Sequence, residues 1–160
     1  MKSAIVLAAG KGTRMKSALN KVMHPVLNKP MIGHIVDTLK ASGVERIVVV
    51  VGHGAESVKE YLQDSVEYAI QQPQLGTGHA VMQASVLEGL DGDTIVVNGD
   101  GPCIQKETIQ KVFESNRDAA CTVLRVCCRM ENATAELFEM HRAWSRRLLK
   151  QRIAVKKNWK

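Results

Sequence analysis

The six residues Arg46-Ile47-Val48-Val49-Val50-Val51 form an almost unbroken β-branched run that stops at Gly52-His53-Gly54. A strand with one wet face alternates apolar and polar residues. A run that is apolar at every position needs cover on both faces, which is the situation of a strand inside a parallel sheet. Parallel neighbours in turn require crossover connections, usually helical. The chain supplies them. Ala4–Leu7, Val66–Ile70, Thr94–Val97 and Ala119–Val126 read as further strands. Between them lie helical patterns: one after Pro30 with Met31, Ile35, Val36 and Leu39, closed by Gly43; one over Ala55–Leu62; one from His79 to about Leu87; and one over Lys106–Ser115 with Ile109, Val112 and Phe113 on one side. Residues 16–30 carry little periodicity. Strand and helix alternate five times, which predicts an α/β fold with a doubly wound, mostly parallel sheet and helices on both faces. At 160 residues there is room for one domain with a real core.

The first strand runs into Leu7-Ala8-Ala9-Gly10-Lys11-Gly12-Thr13-Arg14-Met15. Two glycines one residue apart let the backbone turn sharply and approach a ligand closely. Successive N–H groups in such a loop form an anion-binding concavity. Lys11 and Arg14 add full positive charge, and an arginine can fork onto phosphate oxygens. The loop suits a polyphosphate. It is neither a Walker loop, since the Gly10–Gly12 interval is too short, nor a dinucleotide fingerprint, whose third glycine would fall at Met15. Gly-x-Gly alone would be an ordinary turn; the flanking Leu-Ala-Ala and Thr-Arg-Met favour the phosphate reading.

Three further loops also follow strands, at Gly52–Gly54, Gln71–Gly78 and Asn98–Pro102. In an open α/β sheet, ligands gather at the carboxyl ends of strands, so four such loops on one edge form a candidate site. Asp100, alone, is best read as a turn aspartate. Beside a phosphate loop it becomes a candidate magnesium ligand, because Mg²⁺ is commonly held by one or two carboxylates plus phosphate oxygens. Lys21 is either a solvated loop lysine or the charge that neutralises an α-phosphate. Gln71 and Gly76 either build a turn or read a base edge, since an amide offers a donor and an acceptor.

The formal net charge of +6 raises the question of nucleic acid. Residues 1–124, however, hold 12 Lys/Arg against 13 Asp/Glu, and residues 125–160 hold 10 against 3. The basic character belongs to the tail, and no nucleic-acid partner is expected. No apolar run approaches a membrane span, and the first strand begins too early for a secretory leader, so a cytoplasmic protein with no membrane association is expected. Cys103, Cys121, Cys127 and Cys128 offer no zinc spacing and are expected to be free and mostly buried. The five histidines show no ligand spacing.

From residue 3 to about 134 the chain resembles the N-terminal uridylyltransferase domain of the bifunctional N-acetylglucosamine-1-phosphate uridylyltransferase/glucosamine-1-phosphate acetyltransferases. The residues that carry this are Leu7–Met15, Lys21-Val22-Met23-His24-Pro25, Val51-Gly52-His53-Gly54-Ala55-Glu56, Gln74-Leu75-Gly76-Thr77-Gly78-His79-Ala80 and Gly99-Asp100. The resemblance implies a nucleotide-diphospho-sugar transferase-like, Rossmann-like fold. It implies UTP and N-acetylglucosamine 1-phosphate as substrates, with UDP-N-acetylglucosamine and pyrophosphate as products. Nucleotide-binding positions would be Leu7, Ala8, Ala9, Gly10, Gly12, Thr13, Arg14, Lys21, Gln71, Gly76 and Thr77. Arg14 and Lys21 would be catalytic, and Asp100 would hold Mg²⁺. A molybdenum cofactor guanylyltransferase shares the first loop, but the Gln-Leu-Gly-Thr-Gly-His-Ala stretch favours the sugar enzymes.

The chain departs locally from that family at Asn98 and at Gly101-Pro102-Cys103, and more widely after Asn132-Ala133-Thr134. There the family continues with a Gly-Tyr-Gly-Arg-like stretch and a strand ending in Ile-Val-Glu. The sequence thus divides into a nucleotidyltransferase part, 1–134, and a basic tail, 135–160, in which Leu137, Met140, Trp144 and Leu148 suggest a helix over Glu136–Leu149. Codons can be written for Leu148–Trp159 that, begun one base earlier, read Ile-Val-Glu-Ala-Lys-Asp-Cys-Ser-Glu-Lys-Glu-Leu, close to the family pattern. A frameshifted tail is the expectation, with a domain incomplete at its C-terminus. The contacts to the acetylated sugar and a second magnesium ligand, an Asn, would then be missing, and turnover would be weak or absent. The alternative is an inactive nucleotide-binding remnant. Resequencing the gene tests the tail: a shifted frame restoring the family pattern is expected, and a clean frame lacking it overturns the reading.

Overall fold

A computed structural model describes residues 1–116, 121–124 and 153–157, the last as backbone only. The strands are β1 (Lys2–Ala8), β2 (Pro25–Val26), β3 (Lys29–Pro30), β4 (Arg46–Val51), β5 (Glu67–Ile70), β6 (Asp93–Asn98), β7 (Cys121–Leu124) and β8 (Ile153–Lys157). The α-helices are α1 (Met31–Ala41), α2 (Ala55–Leu62), α3 (Thr77–Met82) and α4 (Lys106–Ser115). Six strands form one sheet in the order β5-β4-β1-β6-β8-β7, and β2 and β3 form a separate hairpin. β1 is parallel to β4 and to β6, and β4 is parallel to β5. β8 runs antiparallel between β6 and β7. The expected doubly wound, mostly parallel sheet is therefore present.

Period-two alternation explains how the sheet is covered. Ala4, Val6 and Ala8 of β1, Val49 and Val51 of β4, and Ile95 and Val97 of β6 form one core with Ile32, Ile35, Val36 and Leu39 of α1, Val58 of α2 and Ile109, Val112 and Phe113 of α4. Ile5, Val48 and Val50 point to the other face and pack with Ala80, Ala84 and Leu87. All of Val48–Val51 are fully buried, as the unbroken apolar run requires.

Several local expectations need correction. The helix read from His79 to Leu87 starts at Thr77, ends at Met82 and is followed by a separate 3₁₀ turn over Ser85–Leu87. Gly76, at φ +105°, sets the earlier start. Residues 16–30, read as carrying little periodicity, contain a 3₁₀ turn at Lys21–Met23 and the β2–β3 hairpin, whose turn residues Leu27 and Asn28 both have positive φ. Two positive φ values in a two-residue loop match strand twist, but Leu-Asn is an unusual way to obtain them. Cys103 and Cys121 are exposed, not buried. The reading gave the tail no strand, yet Ile153–Lys157 forms β8. Its Ile-Ala-Val core suits a pleated strand, and unpaired edges of β6 and β7 receive it. The rest of the Ala119–Val126 strand, the helix read over Glu136–Leu149, Cys127 and Cys128 lie outside the described residues. Among the described residues, no helix is long and apolar enough to cross a membrane.

A fork of hydrogen bonds ties the outer two parallel strands. Arg46 Nε donates to Glu67 Oε1 at 2.8 Å and its Nη2 donates to Oε2 at 2.8 Å. Those bonds, more than charge attraction, hold the Glu67 carboxyl below the usual carboxylate range. A carboxyl depressed by folding contributes stability above its unfolded pKa and loses it as pH falls through the folded value. Glu67→Gln is therefore expected to lower Tm slightly at neutral pH, with the difference from wild type vanishing in acid. Thermal melts across that pH range check it, and only a small effect is expected because the pair is part-exposed.

Candidate nucleotide-binding cleft

β1 has a parallel partner on each side, so the connections leaving β1 and β6 diverge and open a crevice at their carboxyl ends. A cleft of about 300 Å³ lies there. Leu7, Ala8, Ala9 and Gly10 give it a floor from the end of β1 and the loop that follows. Asp100 enters just beyond β6, where the Gly99 N–H donates to the Leu7 carbonyl at 3.0 Å and locks the two strand ends together.

Lys21 arrives from a 3₁₀ turn that Asn20 organises. Asn20 Oδ1 accepts from the Val22 N–H at 3.2 Å, and Asn20 Nδ2 donates to the His53 carbonyl at 2.9 Å. The cap satisfies a turn donor while the amide fastens the turn to the loop after β4. Val22, buried, anchors it from below. Lys21 Nζ then donates to Asp100 Oδ2, and the two form an ion pair with side chains 36% and 18% exposed. Gly12 is the neighbour that makes room. At φ +60°, a Cβ on it would lie 2.8 Å from the Lys21 Cβ, so both its conformation and the contact require glycine.

The loop after β5 supplies the remaining wall. The Gln71 N–H donates to the Val51 carbonyl at 2.8 Å, which continues the β5 ladder beyond Ile70. The Gln71 side chain is buried; its Nε2 donates to the Gly76 carbonyl at 2.9 Å and lies 3.2 Å from His79 Nδ1. One amide hydrogen is thereby engaged by the Gly76 carbonyl, and Oε1 forms no hydrogen bond among the described residues. Gln74 Nε2 donates to the Ala9 carbonyl at 2.6 Å and ties this loop to the first one. Gly52 permits that bridge, since a Cβ there would meet Gln74 Nε2 at 2.6 Å and the Ala9 carbonyl oxygen at 2.9 Å.

Of the sequence-predicted positions, Leu7, Ala8, Ala9, Gly10, Lys21, Gln71, Gly76, Thr77 and Asp100 line this cleft together. Gly12, Thr13 and Arg14 do not: Gly12 acts through its contact with Lys21, and Thr13–Met15 form an exposed 3₁₀ turn beyond it. Lys11 lines an adjoining hollow with His53, Gln72 and Pro73. Gln74, Val22, Ala80 and Asn98 line the cleft although sequence reasoning did not name them as site residues. Gln74 carried a usable signal, a second amide in the same loop. Val22 and Ala80 carried none, because a buried apolar residue at a cleft looks like any other core residue.

A divalent cation fits this donor set in one respect the structure itself displays: Asp100 already holds a cation, the Lys21 ammonium. Among the described residues no cluster of three or more His, Cys, Asp or Glu exists, so the protein would offer one carboxylate and leave other positions to phosphate oxygens and water. That is the coordination Mg²⁺ accepts.

The family model described as the MobA-like NTP transferase domain matches residues 4–157. The chain belongs to that family. Among relatives of this NTP transferase domain, the bifunctional protein GlmU of Exiguobacterium sibiricum is 53% identical over 132 residues, covering 82% of this chain and 29% of that protein. Bifunctional protein GlmU of Enterococcus faecalis is 44% identical over 154 residues, covering 94% and 34%. The chain thus spans about a third of the length of these relatives. They bear out the resemblance drawn from the sequence. Among solved structures, HddC from Yersinia pseudotuberculosis complexed with GMP-PN is 29% identical with a TM-score of 0.66, covering 77% of this chain and 57% of HddC. UDP-glucose pyrophosphorylase complexed with UDP-glucose is 23% identical with a TM-score of 0.67, covering 77% and 56%, and shows the shared fold.

The cap predicts a measurable consequence. Asn20→Ala is expected to cost about 1 kcal/mol of stability, the usual price of a lost cap. Gly12→Ala is expected to cost more, since it combines a strained φ with a clash against Lys21. Denaturant unfolding of both variants checks the order, and the reverse order overturns the role given to Gly12.

Proposed function

We propose that this chain binds UTP across the carboxyl edge of the sheet and is the nucleotide-handling part of an enzyme that transfers UMP to N-acetylglucosamine 1-phosphate, with weak or no turnover by this chain itself. The observation that carries this reading is the meeting of Gln71 with Lys21 and Asp100 in one cleft. Gln71 follows β5, and Asp100 follows β6 three strands across, a span of roughly 14 Å at ordinary strand spacing. A nucleotide laid along that edge places its base at the amide and its phosphates at the charged pair.

With its amide nitrogen turned to the Gly76 carbonyl and Oε1 left without a hydrogen bond among the described residues, Gln71 presents an acceptor. Uracil has a ring N–H on its pairing edge and can donate to it; cytosine and adenine carry an acceptor at the corresponding ring nitrogen, so their only donor on that edge is the exocyclic amino group, one position away. Guanine also has a ring N–H, so exclusion of GTP rests on the larger purine against the Gly76–Thr77 wall. Lys21 neutralises charge at the α-phosphate, and Arg14 holds the outer phosphates from the turn beyond Gly12. Asp100 would hold Mg²⁺, which supplies charge neutralisation to the departing pyrophosphate. The remaining work is positioning, as in phosphoryl-group transfers generally.

Titration calorimetry with UTP, CTP, ATP and GTP in Mg²⁺ tests the reading. UTP is expected to bind most tightly. Gln71→Leu is expected to erase most of the preference over CTP, because an unmade polar contact in a cleft costs about 1–3 kcal/mol. Equal weak affinities for all four nucleotides overturn the base assignment.

A further inference from the structure

The carboxylate that would hold a metal and the lysine that would meet a phosphate are bonded to each other. While that bond stands, each meets its proposed ligand with its charge already matched by the other. A divalent cation arriving at Asp100 meets the Lys21 ammonium already on Oδ2, and the two like charges repel. A triphosphate arriving alone meets a lysine whose charge is already matched by Asp100 and whose neighbour repels it. The two obstacles have one remedy. If phosphate draws Lys21 away, the Asp100 carboxylate is released to a cation; if a cation takes Asp100, the lysine is released to phosphate. Charge is conserved at each exchange: ammonium passes from carboxylate to phosphate, and the divalent ion replaces it at the carboxylate.

The surroundings allow this exchange without unfolding the cleft. Lys21 is held at its backbone, by the Asn20 cap and by Val22 below it. The flexible stem and partly exposed head are left free to swing. Gly12 packs directly against that stem, so the loop that follows β1 and the lysine must adjust together. Asp100 follows β6 directly after Gly99, whose N–H is fastened to the Leu7 carbonyl.

We infer that Lys21 is a resident counter-ion of Asp100 in the nucleotide-free chain, and that its transfer to the nucleotide phosphates couples metal binding to nucleotide binding. This rests on the nucleotide-binding reading above and deepens it. By linkage the coupling is reciprocal: nucleotide raises affinity for the metal by the same factor as metal raises affinity for the nucleotide. A merely structural ion pair makes the opposite statement, since removing either partner then weakens the site.

Binding measurements on the full chain distinguish the two. Mn²⁺ alone, titrated by paramagnetic resonance without nucleotide, is expected to bind Lys21→Met roughly tenfold more tightly than wild type, a typical coupling factor. That gain is expected to disappear in the double variant with Asp100→Asn, which assigns it to the carboxylate. UTP alone, titrated in the presence of a chelator, is expected to bind Asp100→Asn several-fold more tightly than wild type. Circular dichroism on each variant confirms that the fold is retained. Mn²⁺ affinity in Lys21→Met equal to or below wild type overturns the counter-ion role, and so does UTP affinity in Asp100→Asn at or below wild type. If wild type binds no nucleotide even with Mg²⁺, the nucleotide reading fails, while the Mn²⁺ titration still decides whether Lys21 blocks Asp100.

Discussion

Everything in this molecule hangs on β1. It carries a parallel ladder on both edges, to β4 over Ser3–Ala8 and to β6 over Lys2–Leu7. Its two faces are also closed, Ala4 and Val6 toward α1 and α4 and Ile5 toward the opposite core. A strand hydrogen-bonded on both edges and covered on both faces has little freedom left. Its carboxyl end is the point from which neighbouring connections part, so the loop after it faces a crevice instead of packed chain.

The cleft is assembled from residues far apart in sequence and short in their own structure. Lys21 and Asp100 are 79 positions apart, and Gln74 reaches back 65 positions to the Ala9 carbonyl. None of these bonds belongs to a helix or a sheet ladder. They are side-chain links laid over strand ends already brought together by apolar packing. The division of labour is physical: burial positions the strand ends, and amides and ions then join the loops. The glycines at 12 and 52 belong to this second layer, since each leaves space for a side chain from another loop.

β8 shows the limit of charge as a guide. Residues beyond 124 differ sharply in charge from those before them, and the sequence suggested no strand among residues 135–160. Five of them nevertheless lie antiparallel between β6 and β7. Strand pairing depends on backbone groups that every residue has, so a short β-branched segment can fill an available edge whatever its neighbours carry. The match of the family model also extends to residue 157.

Sequence by itself determined the elements whose evidence is local. The β4 run, α2 and α4 were legible, bounds included within about a residue, because apolar period and turn residues sit side by side in the chain. The loops at the strand ends were legible for the same reason, and with them most cleft residues, because a parallel sheet sends every such loop to one edge. Tertiary structure decided what depends on distance between loops: that Lys21 and Asp100 pair, that Gln71 donates to the Gly76 carbonyl, and that Thr13 and Arg14 stand outside the cleft. A side chain's partner is set by the packing of the strands beneath it, and no spacing in the chain records that.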